Sequence, residues 1–401
     1  ISNIRKNLGH KENINLLWIG VYRWYREHEI WNKRLETVLG AFYYNNEIKI
    51  SDLAKIRRLY GKHLNMSVSR LEKFAQCPFG YFVQYGLKVK DREMYSLSAP
   101  DLGSFMHGIL ERFSIKLKEK NLTWESVDER YCEENVKALI DNALDNSPNF
   151  ILNSSKKYKH ITDKLKKTLT RSVWLIAQHM KKGNFIPRAY ELVFGEIGDF
   201  PSISIELDSG EKVSLTGKVD RVDTAREDIT TYIRIVDYKS GTKEFRLSDV
   251  YYGFQLQLLI YLDAILTEFD KMTKGKSIPA GLLYFKLQDP ILKTKGNISD
   301  HEIEDRITKS LKMDGLLLND VTRKQFEILR KYVKKTIADL CKKILAGNIE
   351  VTPYKNKTKN GCSYCEYSAI CQFDTSIKGN KYRIIEDKSD EEIWRSIENK
   401  I

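Results

Sequence analysis

The sequence predicts an α/β domain with long helical insertions, and two patterns support this class. Apolar residues recur at helical spacing across residues 123–182 and 319–347, whereas the runs between residues 190 and 240 alternate in period two. Turn residues such as "DSGE" separate the alternating runs. The predicted order is therefore helices, about four strands, a helix, another strand and a long helix.

The domain organisation follows from shifts in pattern along the chain. Residues 1–66 are predicted to be helical, because apolar and aromatic side chains of "INLLWIGVYRWYREHEIWNKRLETVLGAF" follow three- and four-residue spacings. They are expected to end a preceding helical domain. A new domain is predicted over residues 67–375, starting where a serine can cap a helix that Pro78 interrupts. Residues 376–401 are charged and polar and are expected to form a tail.

The composition of the chain narrows its partners. The 401 residues contain 67 Lys plus Arg against 54 Asp plus Glu, a formal net charge of +13. This excess favours a polyanionic partner, with nucleic acid first and an anionic membrane second. Because the sequence has no run of about 18 apolar residues and no signal-peptide core, we expect a soluble cytoplasmic chain. Of the two candidate partners, we expect DNA and no membrane.

The segment "GKVDRVDTAREDITTYIRIVDYKSG" is predicted to form a hairpin of two strands. Each strand carries an aspartate at a position where an apolar residue would pack more easily. Residues two apart share a face of a strand, so Asp237 and Lys239 are predicted to point the same way. Tyr238 then points the opposite way and leaves its carbonyl near the sheet edge. If the strands pair, Asp220 lies close to Asp237, and a cation such as Mg²⁺ would relieve their repulsion. Lys239 would then bind a phosphate or orient a water.

A surface hairpin held by salt bridges is the alternative interpretation, because single D-x-K matches are common. Asp223 is odd-spaced from Asp220 and is expected to face away, paired with Arg221 in a structural role.

Other polar side chains could complete such a site. Gln257 and Tyr261 lie four residues apart on one face of the next helix, although ordinary boundary residues fit this pattern equally well. His107 could supply a neutral nitrogen ligand between Gly103 and Gly108, which permit close backbone approach. A lone histidine on a helix is, however, more often structural.

Three cysteines form a C-x₂-C-x₅-C cluster, namely Cys362, Cys365 and Cys371. Soft thiolates at this spacing are typical of Zn²⁺ or iron–sulfur sites, and both need a fourth ligand. Cys77, next to Pro78, is the best candidate, and such a site would staple the two ends of the domain together. Unligated core thiols are the alternative, which the polar sequence "GCSYCEY" disfavours.

The helix predicted between residues 153 and 182 carries a basic stripe. Its members are Lys156, His160, Lys164, Lys167 and Arg171. A solvated face is the default interpretation, but contact with a phosphate backbone fits the net charge.

Taken together, these motifs resemble the RecB-type branch of the PD-(D/E)XK nucleases. The residues concerned are "LGSFMHGIL", "GKVDRVD", "IVDYKSG", "QLQLLIY", and a single Cys followed far downstream by "CSYCEYSAIC". The flanks "SVSRLEKFAQCPFGYFVQYGLKVKDRE" and "VTPYKNKTKNGCSYCEYSAICQFD" are similar to the C-terminal nuclease domain of the AddB family. The resemblance covers about residues 60–375. It implies a restriction-endonuclease-like core with a central mixed sheet and a cysteine-ligated iron–sulfur staple.

The resemblance also implies roles for particular residues. The implied metal ligands for Mg²⁺ are His107, Asp220, Asp237 and the carbonyl of Tyr238. The implied catalytic residues are Asp220, Asp237, Lys239, Gln257 and Tyr261. The implied ligands of a 4Fe–4S cluster are Cys77, Cys362, Cys365 and Cys371. Glu191 in "YELVFG" is a further acidic candidate.

The function implied by the resemblance is a Mg²⁺-dependent exonuclease that degrades the 5′-ended strand at double-strand breaks before recombinational repair. The enzyme would act on the single strand of unwound DNA, as a heterodimer with an AddA-type helicase–nuclease subunit. Residues 1–66 would end the preceding helicase-like region, and no G-x-x-x-x-G-K-S/T loop for ATP is present. The alternative is a non-catalytic DNA-binding clamp with a structural zinc or iron–sulfur site.

Overall fold

The computed structural model describes residues 16–43, 49–61, 63–90, 97–146, 151–241, 244–273, 276–287, 314–317, 321–377 and 379–401. The helical character predicted for residues 1–15 lies outside these ranges, as does the predicted start of the last long helix at residue 319. None of the helices in the described ranges has the length and hydropathy needed to cross a membrane.

The first half of the chain is mainly helical, as predicted. Its elements are α1 (Leu16–Glu27), α2 (Glu29–Tyr43), α3 (Leu53–Tyr60), β1 (Leu64–Ser67), α4 (Val68–Gln76), α5 (Pro78–Tyr81), a π-helical turn (Phe82–Gly86), α6 (Ala99–Glu119), α7 (Glu129–Asp145), a 3₁₀ turn (Ile151–Asn153) and α8 (Lys156–Lys181).

The second half contains most of the sheet. Its elements are β2 (Ile186–Phe194), β3 (Ile203–Glu206), β4 (Lys212–Glu227), β5 (Thr230–Lys239), α9 (Leu247–Tyr251), α10 (Gln257–Thr273), β6 (Lys276–Lys286), β7 (Asp314–Leu317), α11 (Arg323–Leu345), β8 (Tyr354–Lys355), α12 (Ser368–Cys371), β9 (Arg383–Ile384) and α13 (Asp390–Glu398). The four strands predicted between residues 190 and 240 correspond to β2–β5.

Within the described residues, β1–β7 form one seven-stranded sheet. It is mixed: β1 runs parallel to β4 and β6 parallel to β5, whereas β2, β3 and β5 are antiparallel to β4. Strand β7 is antiparallel to β6. The predicted α/β class with a central mixed sheet is confirmed.

Strand β4 changes its partners along its length. Its first part pairs with β3 and with β1, as far as the pair Thr216–Ser67. Its second part pairs with β2, and its ladder with β5 begins at the pair Arg221–Val236. Residues 217–220 of β4 therefore lie between the segment that pairs with β1 and the segment that pairs with β5. We call residues 217–220 of β4, together with residues 237–239 of β5, the fork.

The two faces of the sheet are covered by different helices. Ile233 and Ile235 of β5 pack in a core with residues of α4, α10 and α11. Val236 and Tyr238 pack in a second core with residues of α6, α7 and α8. Because side chains alternate along a strand, Asp237 belongs to the face covered by α10.

Two expectations differ from the structure. Residues 376–401 do not form a merely polar tail: helix α13 buries Ile393 and Ile397, an i, i+4 apolar pair, in the core with α10 and α11. The one helix predicted between the four strands and the next strand is also wrong, because this segment forms two helices. Helix α9 ends at Tyr251, and Gly253, with φ of +82°, separates it from α10.

Candidate functional site

Asp220 occupies the point of the fork where β4 and β5 part. Its Oδ2 accepts a hydrogen bond of 2.6 Å from the backbone N–H of Tyr238. The β4–β5 ladder ends at the pair Arg221–Val236 and gives the Tyr238 N–H no backbone acceptor on β4. The Asp220 carboxylate accepts this N–H instead. Its Oδ1 lies 3.3 Å from His107 Nδ1, and the residue is buried. Asp220 therefore connects β5 with α6.

His107 is brought to the fork by helix α6. The helix begins with a Ser98–Asp101 capping box, and one turn later Gly103 faces the end of β5. A Cβ at Gly103 would lie 3.1 Å from Ser240 Oγ, so the glycine permits this approach. Burial lowers the pKa of His107, but the hydrogen bond and charge of Asp220 outweigh burial and leave this pKa raised.

Glu191 of β2 completes a group of three potential metal ligands. One ligand atom from each of His107, Glu191 and Asp220 lies within 4.8 Å of the others. Glu191 is buried and pairs with Lys218 of the fork. An imidazole with two carboxylates supplies the nitrogen and oxygen donors that divalent cations accept. The predicted ligands His107 and Asp220 therefore do lie together.

The backbone of Glu191 is unusual for a strand, with φ of +50°. It interrupts the normal alternation, because Tyr190 bonds to Trp124 on the α6–α8 side while Leu192 packs in the opposite core. Non-glycine residues in this region of φ are uncommon and concentrate at functional sites. In the sequence, the only signal for Glu191 was an acid within an alternating run.

Asp237 and Lys239 share a face, as predicted: Lys239 Nζ lies 2.5 Å from Asp237 Oδ2. Asp237 is buried but does not belong to the group of His107, Glu191 and Asp220. The Asp237 charge nevertheless contributes to the raised pKa of His107, so Asp237 lies close enough to interact with that imidazole. The carbonyl of Tyr238 as a metal ligand stays a prediction.

Gln257 and Tyr261 contact the fork from helix α10. The Gln257 side chain hydrogen-bonds to the Tyr261 hydroxyl, which also bonds to the backbone of Lys218. A Cβ at Gly217 would lie 1.7 Å from that hydroxyl, so only glycine leaves room for it. Burial, followed by the charges of Glu72 and Asp237, raises the pKa of Tyr261. The predicted face of two polar residues thus touches β4 directly.

The structural role predicted for Asp223 is confirmed. Arg221 and Asp223 are fully buried and form an ion pair of 2.8 Å, and Arg234 adds a contact of 2.9 Å to Asp223. Arg221 also donates to the Tyr238 hydroxyl at 3.1 Å, on the face opposite Asp237. This buried network links β4 with β5 on the face of the sheet opposite Asp237.

The four predicted cysteine ligands line one cavity of about 220 Å³. Cys77 follows α4, and the other three are Cys362, Cys365 and Cys371 in the segment between β8 and β9. Burial and the neighbouring thiols raise the pKa of Cys371 to about 12. The four thiols are thus gathered around a common space.

The predicted basic stripe lies along α8, where Lys156, His160, Lys164 and Lys167 are exposed and Arg171 is half-buried. On the inner side of the same helix, Leu165 and Leu169 are buried. The stripe is therefore a surface feature.

Comparisons with known proteins agree with this architecture. A family model described as the PD-(D/E)XK nuclease superfamily matches residues 65–372. A second model, described as the fifth domain of the ATP-dependent helicase/deoxyribonuclease AddB, matches residues 1–41.

Similar curated proteins are named as the B-type subunit of an ATP-dependent helicase/deoxyribonuclease. That of Clostridium kluyveri (strain NBRC 12016) is 83% identical, over 100% of this chain and 38% of the relative. That of Clostridium botulinum (strain Loch Maree / Type A3) is 50% identical over the same shares. That of Thermoanaerobacter sp. (strain X514) is 44% identical, over 98% of this chain and 37% of the relative. The chain thus spans less than two fifths of the length of these relatives.

Proposed function

The chain belongs to the PD-(D/E)XK nuclease superfamily, and on this premise we propose that it is a Mg²⁺-dependent deoxyribonuclease whose active site is the fork. The observation that carries the proposal is the convergence of His107, Glu191 and Asp220 beside the Asp237–Lys239 pair. A surface hairpin held by salt bridges would not bury its carboxylates or share them with a helix histidine.

The donor set suits a hard divalent cation. We propose that His107, Asp220, Asp237 and the carbonyl of Tyr238 hold Mg²⁺, with Glu191 as a further carboxylate. When bound, the ion would polarise a phosphate oxygen and lower the pKa of a bound water.

The remaining residues would bind and orient the scissile phosphate. The Lys239 ammonium lies on the face of Asp237 and is partly exposed, so it can contact a phosphate oxygen and stabilise developing negative charge. Asp220 holds the His107 imidazole and the Tyr238 amide together, which fixes β5 relative to α6. Gln257 and Tyr261 hold the backbone at Lys218, the partner of Glu191.

For the cysteine site we propose a 4Fe–4S cluster. Four thiolates can hold either a zinc ion or an iron–sulfur cluster. The four cysteines line one cavity of about 220 Å³, and the resemblance of the cysteine motif to that of the AddB family favours the cluster. Bridging Cys77 to the segment near residue 371 would join the two ends of the nuclease domain.

At the level of the whole protein, we propose that residues 67–375 are the nuclease domain of the AddB-type subunit of an ATP-dependent helicase/deoxyribonuclease, and that residues 1–66 end the preceding region. The names of the relatives and the match at residues 1–41 support this. The partner would be an AddA-type subunit. The substrate would be the 5′-ended single strand of unwound DNA during break resection.

A cleavage assay on labelled single-stranded DNA tests the activity. We expect cleavage with Mg²⁺, none with EDTA, and none by Asp237→Ala, while iron and acid-labile sulfide contents stay unchanged. Full activity of Asp237→Ala would contradict the assignment. DNA binding by the native chain without cleavage would favour the clamp, and zinc without iron would favour a zinc site.

A further inference from the structure

A buried carboxylate outside the proposed ligand set contacts the helix that carries Gln257 and Tyr261. Glu72 of α4 is 7% exposed. Its Oε1 accepts hydrogen bonds from the backbone N–H of Leu256 at 2.8 Å and of Gln257 at 3.1 Å. Both amides belong to the beginning of α10, which lies more than 180 residues further along the chain.

These contacts replace an ordinary helix cap. The first N–H groups of a helix lack intrahelical acceptors, and a residue just before the helix usually supplies one. Gln255 precedes α10, but its side chain accepts from Arg246 N–H at 3.1 Å and donates to Glu244 O at 2.6 Å. The carboxylate of Glu72 takes over this role, and the positive end of the helix dipole favours its charge.

The position of Glu72 is itself fixed by packing. Its neighbours Leu71 and Phe74 on α4 are almost fully buried. At the end of α4, the Arg383 guanidinium donates to the carbonyl of Ala75. A shift of α10 relative to α4 would therefore break charged hydrogen bonds in a buried setting, which is costly.

The first residue of α10 is also part of the proposed site. Gln257 hydrogen-bonds to Tyr261, whose hydroxyl bonds to the backbone of Lys218 in the fork. The Glu72 charge also contributes to raising the pKa of Tyr261. A continuous set of contacts thus leads from Glu72 through Gln257 and Tyr261 to β4.

We propose that Glu72 is a positioning residue of the nuclease: it fixes the start of α10 and so places Gln257 and Tyr261 against the fork. The inference rests on the proposed function of that site. Glu72 acts through α10 and does not touch DNA or metal.

Three variants of Glu72 separate positioning from simple stability. Glu72→Ala removes the acceptor, Glu72→Asp withdraws it by one methylene, and Glu72→Gln keeps a neutral acceptor at the same reach. The matched control is Asp270→Ala, because Asp270 Oδ1 accepts the Ser277 N–H at 2.7 Å near the other end of α10.

Two readouts are measured on each folded variant: kcat and KM for single-stranded DNA with Mg²⁺, and hydrogen exchange of the peptide covering residues 254–261. We expect kcat to fall by about 10- to 100-fold in Glu72→Ala, less in Glu72→Asp and least in Glu72→Gln, with KM unchanged. Exchange at Leu256 and Gln257 should accelerate in the same order. Asp270→Ala should change neither kcat nor exchange in this peptide.

The two readouts also distinguish this inference from the proposed function. Unchanged exchange in Glu72→Ala and Glu72→Asp would overturn the role of Glu72, and so would accelerated exchange with unchanged kcat. If the native chain cleaves no DNA with Mg²⁺, the proposed function fails, and the positioning role that rests on it fails with it. The exchange data would then support only the capping of α10 by Glu72.

Discussion

At the fork, the candidate ligands come from α6, β2, β4 and β5, whereas at the cysteine site three of the four thiols lie within ten residues of chain. Sheet register and buried hydrogen bonds hold the carboxylates of the fork in place. Among the described residues, the regular structure near the thiols consists of short elements, namely the two-residue pairing of β8 with β9, the isolated bridge between Lys355 and Asn360, and the four-residue helix α12. We infer that the fork forms before it binds metal, whereas the cysteine segment depends on its bound group for order.

The largest effect on activity is expected from Asp220→Asn. The asparagine oxygen can still accept the Tyr238 N–H, so the fold should persist, but the charge that holds metal is lost. We expect the Mg²⁺-dependent cleavage rate to fall by about 100- to 1,000-fold, measured on a labelled oligonucleotide. Glu227→Gln, at the exposed far end of the same strand, is the control and should cleave normally. Equal rates for the two variants would remove Asp220 from the site.

Substitution of a cysteine ligand should lower the free energy of unfolding more than it lowers the cleavage rate. Cys371→Ser should lose the bound iron and release the cross-link between residues 77 and 362–371. For a loop of this length the chain-entropy model sets an upper effect of about 6 kcal/mol on the free energy of unfolding. Urea unfolding with iron determination measures it, and Ser363→Ala in the same segment is the control. Retained iron in Cys371→Ser would exclude this cysteine as a ligand.

A smaller effect is expected at the contact between α10 and the fork. Tyr261→Phe removes the hydroxyl that bonds to Gln257 and to the backbone of Lys218. We expect a loss of about tenfold in kcat, which corresponds to about 1.4 kcal/mol for the hydrogen bonds that the hydroxyl makes. Tyr332→Phe is matched, because that hydroxyl donates to Tyr251 O at 2.8 Å away from the fork. A similar loss in both variants would point to general destabilisation.

The smallest effect is expected on the surface of α8. Replacing Lys156, Lys164 and Lys167 with Gln should leave kcat unchanged but reduce the salt dependence of single-stranded DNA binding. The slope of log K against log salt should fall by about 0.7 for each lysine–phosphate ion pair that the substitutions remove. Gln substitutions of the exposed Lys324, Lys331 and Lys343 on α11 serve as control. An unchanged slope in the α8 variant would leave the stripe as a solvated face.

Local spacing was sufficient for part of the site. The shared face of Asp237 and Lys239 follows from strand geometry, and so does the pairing of Asp223 with Arg221, because residues two apart share a face. Gln257 and Tyr261 meet because they are four residues apart on a helix. Each of these predictions depends on a single element.

The remaining contacts depend on distant elements. Glu191 meets Asp220 only because β2 and β4 pair in one register, with a strand residue at φ of +50° that no local pattern indicates. The contact of Glu72 with the start of α10 joins residues that are 184 positions apart in the chain. In α13, charged residues surrounded the apolar pair and made the segment resemble a tail. Composition did not reveal its packing.

Binding of Mn²⁺, followed by electron paramagnetic resonance, tests the central claim that the fork is a metal-dependent active site separate from the cysteine site. We predict that the native chain and Glu227→Gln bind Mn²⁺, that Asp220→Asn does not, and that all three contain the same amount of iron. Binding of Mn²⁺ by Asp220→Asn with the affinity of the native chain would contradict the account.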